Sequence, residues 1–116
     1  MTRVLIDDRR RFGNDRACVT YRGSAAAVAG LRAMAEAGVR VDELWLDYDL
    51  GGGDTIAPVL AMLADLADAH RRLEIRATTV LAASASGAQE IVSALTRLGY
   101  PHPRSGRDAF LSVEGD

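Results

Sequence analysis

The chain of 116 residues contains no lysine, so all fourteen of its basic residues are arginines. Schiff-base chemistry and any mechanism built on a lysine ammonium are excluded within it. A single cysteine, Cys18, rules out an internal disulfide and a multi-cysteine metal centre, and reads as a core residue of a reducing compartment. Histidine is almost as scarce. His70 and His102 are the only two, which leaves few groups of the kind that usually exchange protons near neutral pH. No apolar run approaches the ~20 residues that cross a bilayer, and the basic N-terminus lacks a signal-peptide core, so the expected compartment is the cytoplasm.

What remains is the composition of an ordinary globular domain. The 48% apolar and 26% charged fractions exclude disordered, collagen-like and disulfide-scaffold classes. The length fits one domain over residues 1–116, with no repeat and no linker dividing it. A net charge of −2 gives no general electrostatic footprint for nucleic acid.

Short apolar runs alternate with longer helical patterns. Arg3-Val4-Leu5-Ile6 reads as a first strand ending at Asp7-Asp8, the charged stretch from Arg9 to Arg16 as a loop or single turn, and Ala17 to Tyr21 as a second strand. Ser24 is expected to cap a helix over Ala25 to Ala37 that Gly38 stops. Val41 to Asp47 follows as a central third strand. Asp54 or Thr55 then caps a helix that carries Pro58 in its first turn and runs toward His70. Leu73 to Leu81 reads as a fourth strand, and Ser84 or Ser86 caps a helix over Gly87 to Leu98. Pro101 and Pro103 enforce an extended connection before a last strand at Ala109 to Val113.

This alternation predicts an α/β fold: one doubly wound, mainly parallel sheet of about five strands with a shortened first crossover. Ligands of such sheets bind beyond the carboxyl ends of the strands. Asp7 and Asp8 end the first strand, Asp47 and Asp49 flank Tyr48 after the third, and Ser84 follows the fourth. If those strands are neighbours, the groups converge on one pocket. A single aspartate at a strand end is commonly only a turn or cap residue, so it is the joint placement that argues for a site. Arg9, Arg10 and Arg22 can form an anion-binding rim above the acids, since guanidinium forks phosphate oxygens well.

The order of an acidic pair, a third aspartate and a hydroxyl resembles the receiver domains of response regulators. The short first connection is more similar to the cyclic-phosphate-processing receiver variant. The segments that carry this likeness are Ile6-Asp7-Asp8-Arg9-Arg10, Tyr21-Arg22-Gly23-Ser24 and Leu46-Asp47-Tyr48-Asp49-Leu50-Gly51, spanning roughly residues 3 to 100. The resemblance implies a flavodoxin-like sheet and chemistry on phosphate groups, in particular cyclic phosphates of nucleotides or RNA ends. Tyr48 and Ala83 stand where that family's pattern has histidines, and the lysine that ordinary receivers use is missing.

Two readings follow. In one, Asp7, Asp8 and Asp47 hold Mg²⁺, with Mn²⁺ as a substitute, while Arg9, Arg10, Arg22 and Tyr48 bind the anion and Asp47, Asp49 and Ser84 carry the chemistry. In the other, the chain is a catalytically degenerate receiver that serves as a binding, signalling or homodimerisation module through its alanine-rich helices. Phosphorylation of Asp47 is a third, weaker option.

Overall fold

Three fully buried side chains in a row, Val4, Leu5 and Ile6, mark the middle of the sheet, and Leu44, Trp45 and Leu46 repeat the pattern. Side chains alternate between the two faces of a strand, so consecutive burial means that both faces are covered. The computed structural model describes residues 1–13, 18–106 and 111–113. Its elements are β1 (Arg3–Ile6), β2 (Arg10–Phe12), β3 (Val19–Tyr21), α1 (Ser24–Glu36), β4 (Val41–Leu46), α2 (Ala57–Asp68), β5 (Ile75–Val80), α3 (Ala85–Arg97), β6 (Arg104–Ser105) and β7 (Leu111–Val113). Asn14, Asp15, Arg16, Ala17, Ala109 and Phe110, which the sequence assigns to the first loop and to two strands, lie outside the described residues.

The expected parallel α/β sheet is present, with five strands in the order β3-β1-β4-β5-β6. Ile6 pairs with Leu46, and Leu46 with Val80, so β1, β4 and β5 end level with one another. That register, more than any loop, brings Asp7 and Asp47 side by side. No helix among the described residues is long and apolar enough to cross a membrane.

The three helices bury their apolar faces into one cluster with Val4, Ile6, Leu44 and Leu46. Right-handed crossovers explain this. Moving from β3 past β1 to β4, β5 and β6 sends every helix over the same face, whereas the reverse step from β1 to β3 must pass over the other. No helix among the described residues makes that step. The opposite face is covered instead by Phe12 of β2, whose ring meets the Trp45 ring edge-on at 5.0 Å, within a small cluster that includes Leu5 and Leu81. Cys18 packs against this cluster while half-buried, and burial pushes its thiol pKa up.

Local differences from the sequence reading have identifiable causes. Arg10 to Phe12, expected as loop, pairs antiparallel with β7, a partner about a hundred residues away that local patterning does not reveal. Arg104–Ser105 extends the sheet beside β5 after the two prolines. Ser24 is the first residue of α1 rather than its cap. Its amide and hydroxyl donate to Asp54 Oδ2 and Oδ1 at 2.7 and 2.6 Å, so Asp54 terminates α1 rather than α2. Those bonds hold the Asp54 carboxyl below the usual aspartate range. Thr55 Oγ1 accepts the Ala57 amide at 3.3 Å, but Ile56, without a side-chain bond, is the cap of α2, so neither expected residue caps it; Ser84 caps α3 as expected.

Just past the end of α2 and its C-cap Ala69, His70 sits at φ 56°, the left-handed region where a side chain is strained. The Arg71 amide donates to Leu66 O and the His70 amide to Ala67 O, a pattern that favours glycine at this position. His70→Gly is expected to stabilise the protein by about 1 kcal/mol, raising Tm by a few degrees. A thermal melt that shows an unchanged or lower Tm contradicts this assignment.

Candidate functional site

Each acid of the site is placed by the residue before it. Asp7 continues β1 by one step, its amide donating to Tyr21 O at 3.2 Å, and Asp47 continues β4, its amide donating to Ile6 O at 3.0 Å. Asp7 is 1% exposed. A buried carboxylate needs partners. Its Oδ1 accepts the amides of Arg9 and Arg10 at 2.9 and 2.7 Å, which turns the chain into β2, and its Oδ2 accepts from Arg10 Nη1 at 2.9 Å. Asp47 Oδ1 accepts the Tyr48 amide at 2.7 Å, and its Oδ2 lies 3.4 Å from the same Arg10 nitrogen.

Asp8 completes the group. Ligand oxygens of Asp7, Asp8 and Asp47 all lie within 4.8 Å of one another, so the three residues are placed to bind a metal ion. Their chemistry fits a hard divalent cation, which takes carboxylate oxygens and fills its remaining positions with water. The loop after β4 closes over this group. Gly51 sits at φ +81°, a conformation that favours glycine, and a Cβ there would come within 2.8 Å of Asp8 Oδ2 and push that carboxylate aside. The Asp54 bonds to Ser24 anchor the far side of the same loop to α1.

The acids floor a cleft of about 490 Å³, and every predicted site residue except Arg22 lines it. Arg9 is exposed at the rim. Asp49, also exposed, accepts the Gly51 amide at 3.0 Å. Ser84 stands at the N-terminus of α3, where its Oγ accepts the Gly87 amide at 3.0 Å. Arg22 stands behind the cleft, its Nη1 donating to the carbonyls of Asp7 and Arg10 and so fixing the turn between β1 and β2.

Two proton affinities are displaced. Burial, followed by the neighbouring Asp7 charge, pushes the Asp47 carboxyl above its ordinary 3.8, against the opposing pull of the Tyr48 amide and Arg10. Tyr48 is pushed above its ordinary value chiefly by hydrogen bonding to Glu90, then by burial, with Thr55 opposing. A phenol tied to a carboxylate stays protonated. Glu90 was not foreseen from the sequence. It lies one helical turn beyond Gly87, whose missing Cβ, 3.0 Å from Tyr48 Cβ and Cγ, lets α3 approach the tyrosine.

With this geometry established, the family comparison is decisive: the model of the cyclic-phosphate processing receiver domain matches residues 2–97. The chain belongs to that family. Among curated proteins and among solved structures, none matches it. As a cyclic-phosphate processing receiver domain, it keeps an acid cluster placed for a metal ion at the carboxyl edge of a parallel sheet.

Raised proton affinity makes Asp47 a source of pH dependence. The folded protein binds the Asp47 proton more tightly than the unfolded chain, so this group stabilises the fold at low pH. That contribution is lost as pH rises through a folded pKa above the ordinary 3.8. Asp47→Asn, which keeps the Oδ1 acceptor and removes the charge, is expected to raise Tm at pH 7 in the presence of a chelator. The gain should shrink as pH falls toward the ordinary aspartate range. Melting curves of both proteins across pH check this, and a lower Tm for the variant at pH 7 contradicts it.

Proposed function

We propose that this domain binds Mg²⁺ on Asp7, Asp8 and Asp47 and, with it, a phosphate group carried by a small molecule or an RNA end. Cyclic phosphates are the substrate class that the family's description points to. The observation that carries this reading is the convergence of three carboxylates from the ends of two adjacent strands, ligand oxygens within 4.8 Å, beneath an arginine-rimmed cleft. A divalent ion bound there supplies neutralisation of phosphate charge and polarisation of its oxygens.

The chain's own residues supply the rest. Arg9, exposed on the rim, is suited to fork phosphate oxygens. The amide-rich N-terminus of α3 favours an anion, and the Ser84 hydroxyl proton, which makes no bond among the described residues, is available to it. Tyr48, kept protonated beside Glu90, serves as a hydrogen-bond donor and not as a base. For ring opening, Asp49 takes the proton of the attacking water. The new P–O bond displaces one ring oxygen, to which Asp49 passes the proton it took, so that the ring opens to a phosphomonoester and a free hydroxyl.

The identities of residues 48 and 83 favour a second reading. A tyrosine of raised proton affinity stands in the family's histidine position and Ala83 offers no proton, so the domain then binds phosphate without turning it over, as a signalling or dimerisation module.

Two measurements separate the readings. Mg²⁺ or Mn²⁺ is expected to raise the Tm of wild type and not that of Asp47→Ala; absence of any shift removes the metal from both. Phosphorus NMR of 2′,3′-cyclic nucleotides and cyclic dinucleotides with Mg²⁺ is expected to reveal a new phosphomonoester resonance. Unchanged spectra alongside a metal-dependent Tm leave the binding module as the function.

A further inference from the structure

The cleft already contains a cation. Arg10 Nη1 lies 2.9 Å from Asp7 Oδ2 and 3.4 Å from Asp47 Oδ2, within the acid cluster itself. These two oxygens are the ones each aspartate has left. Asp7 Oδ1 is committed to two backbone amides and Asp47 Oδ1 to one. A divalent ion on this cluster and the guanidinium therefore need the same atoms, and the two cations repel at such separations.

The guanidinium is the weaker claimant. It carries one charge against two, and carboxylate oxygens are the preferred ligands of hard cations. Its departure need not disturb the strand that bears it. The Arg10 amide stays on Asp7 Oδ1, its carbonyl on Arg22 Nη1, and its backbone is registered with Val113 across the β2–β7 pair. The Arg10 side chain is 23% exposed and lines the cleft, so a displaced guanidinium has open space in front of it.

We infer that Arg10 is an exchangeable counter-cation: it bridges Asp7 and Asp47 until a divalent ion takes their oxygens, and its guanidinium then turns into the cleft as a phosphate ligand. The inference rests on the metal reading above and adds an order to it. The metal comes first, and the phosphate finds its arginine only afterwards. Linkage between the two ligands is reciprocal, so phosphate also tightens the metal.

Isothermal titration of the full chain with Mg²⁺, and with inorganic phosphate at saturating Mg²⁺, tests this in wild type, Arg10→Gln and Arg11→Gln. Arg11 is exposed on the same strand, and its variant controls for the loss of one positive charge. Arg10→Gln is expected to bind Mg²⁺ at least about five-fold more tightly than either other protein, and to gain less phosphate affinity from Mg²⁺ than wild type does. Equal Mg²⁺ affinity in the two variants overturns the exchange while leaving the metal site standing. Failure of all three proteins to bind Mg²⁺ overturns both. Should Arg10→Gln not fold, the Arg10 side-chain Nε–H resonance of wild type decides. It is expected to move toward the free-arginine position on Mg²⁺ addition, and an unmoved resonance at Mg²⁺ saturation overturns the inference.

Discussion

Repulsion between carboxylates held side by side is the constraint around which this domain is arranged. In-register parallel pairing of β1 with β4 delivers Asp7 and Asp47 to adjacent strand ends, and the apolar layers beneath them keep the surroundings poor in water. Such a pair stays folded only if neutralised. The nearby features that look unrelated all serve that end. Asp7 and Asp47 accept backbone amides, Arg10 reaches across both, and Arg22 holds the carbonyls of the turn that carries Arg10. The raised proton affinity of Asp47 reflects its burial first and the Asp7 charge second, against the partial offset of the Tyr48 amide and Arg10.

That no helix among the described residues joins β1 to β3 is tied to the same site. A full crossover helix would carry the chain away from the acids, whereas the short β2 segment keeps Arg9 and Arg10 at the cleft while Phe12 covers Trp45 behind it. One three-residue strand thus closes the helix-free face and supplies the cleft's cation. Its antiparallel pairing with β7 then joins the C-terminal part of the chain to the site through Arg10 and Val113.

Much of this was legible in the sequence because it depends on local pattern. Apolar runs ending in aspartate marked β1 and β4, helical periodicity with Gly38 and Gly99 marked the helix ends, and the joint spacing of Asp7, Asp8, Asp47 and Ser84 located the cleft. What stayed hidden depends on partners distant in sequence. Arg10 to Phe12 is charged and short, and is a strand only because β7 lies beside it. Ser24 and Asp54 each look like a helix cap, and only the folded loop shows that Ser24 lies inside α1 and that Asp54 accepts its amide and hydroxyl. Glu90 carries no motif. Its role with Tyr48 follows from the close approach that Gly87 permits.

The central claim is that Asp7, Asp8 and Asp47 act as one cation site. Paramagnetic broadening by Mn²⁺ in an amide-resolved NMR spectrum locates a bound ion directly. The account predicts that substoichiometric Mn²⁺ erases the amide signals of Asp8, Arg9, Tyr48 and Gly51 first, and that excess Mg²⁺ restores them. Broadening centred elsewhere, such as on the cleft that Glu36 and Glu74 share with Arg32, Arg71 and Arg72, or no selective broadening at all, would contradict it.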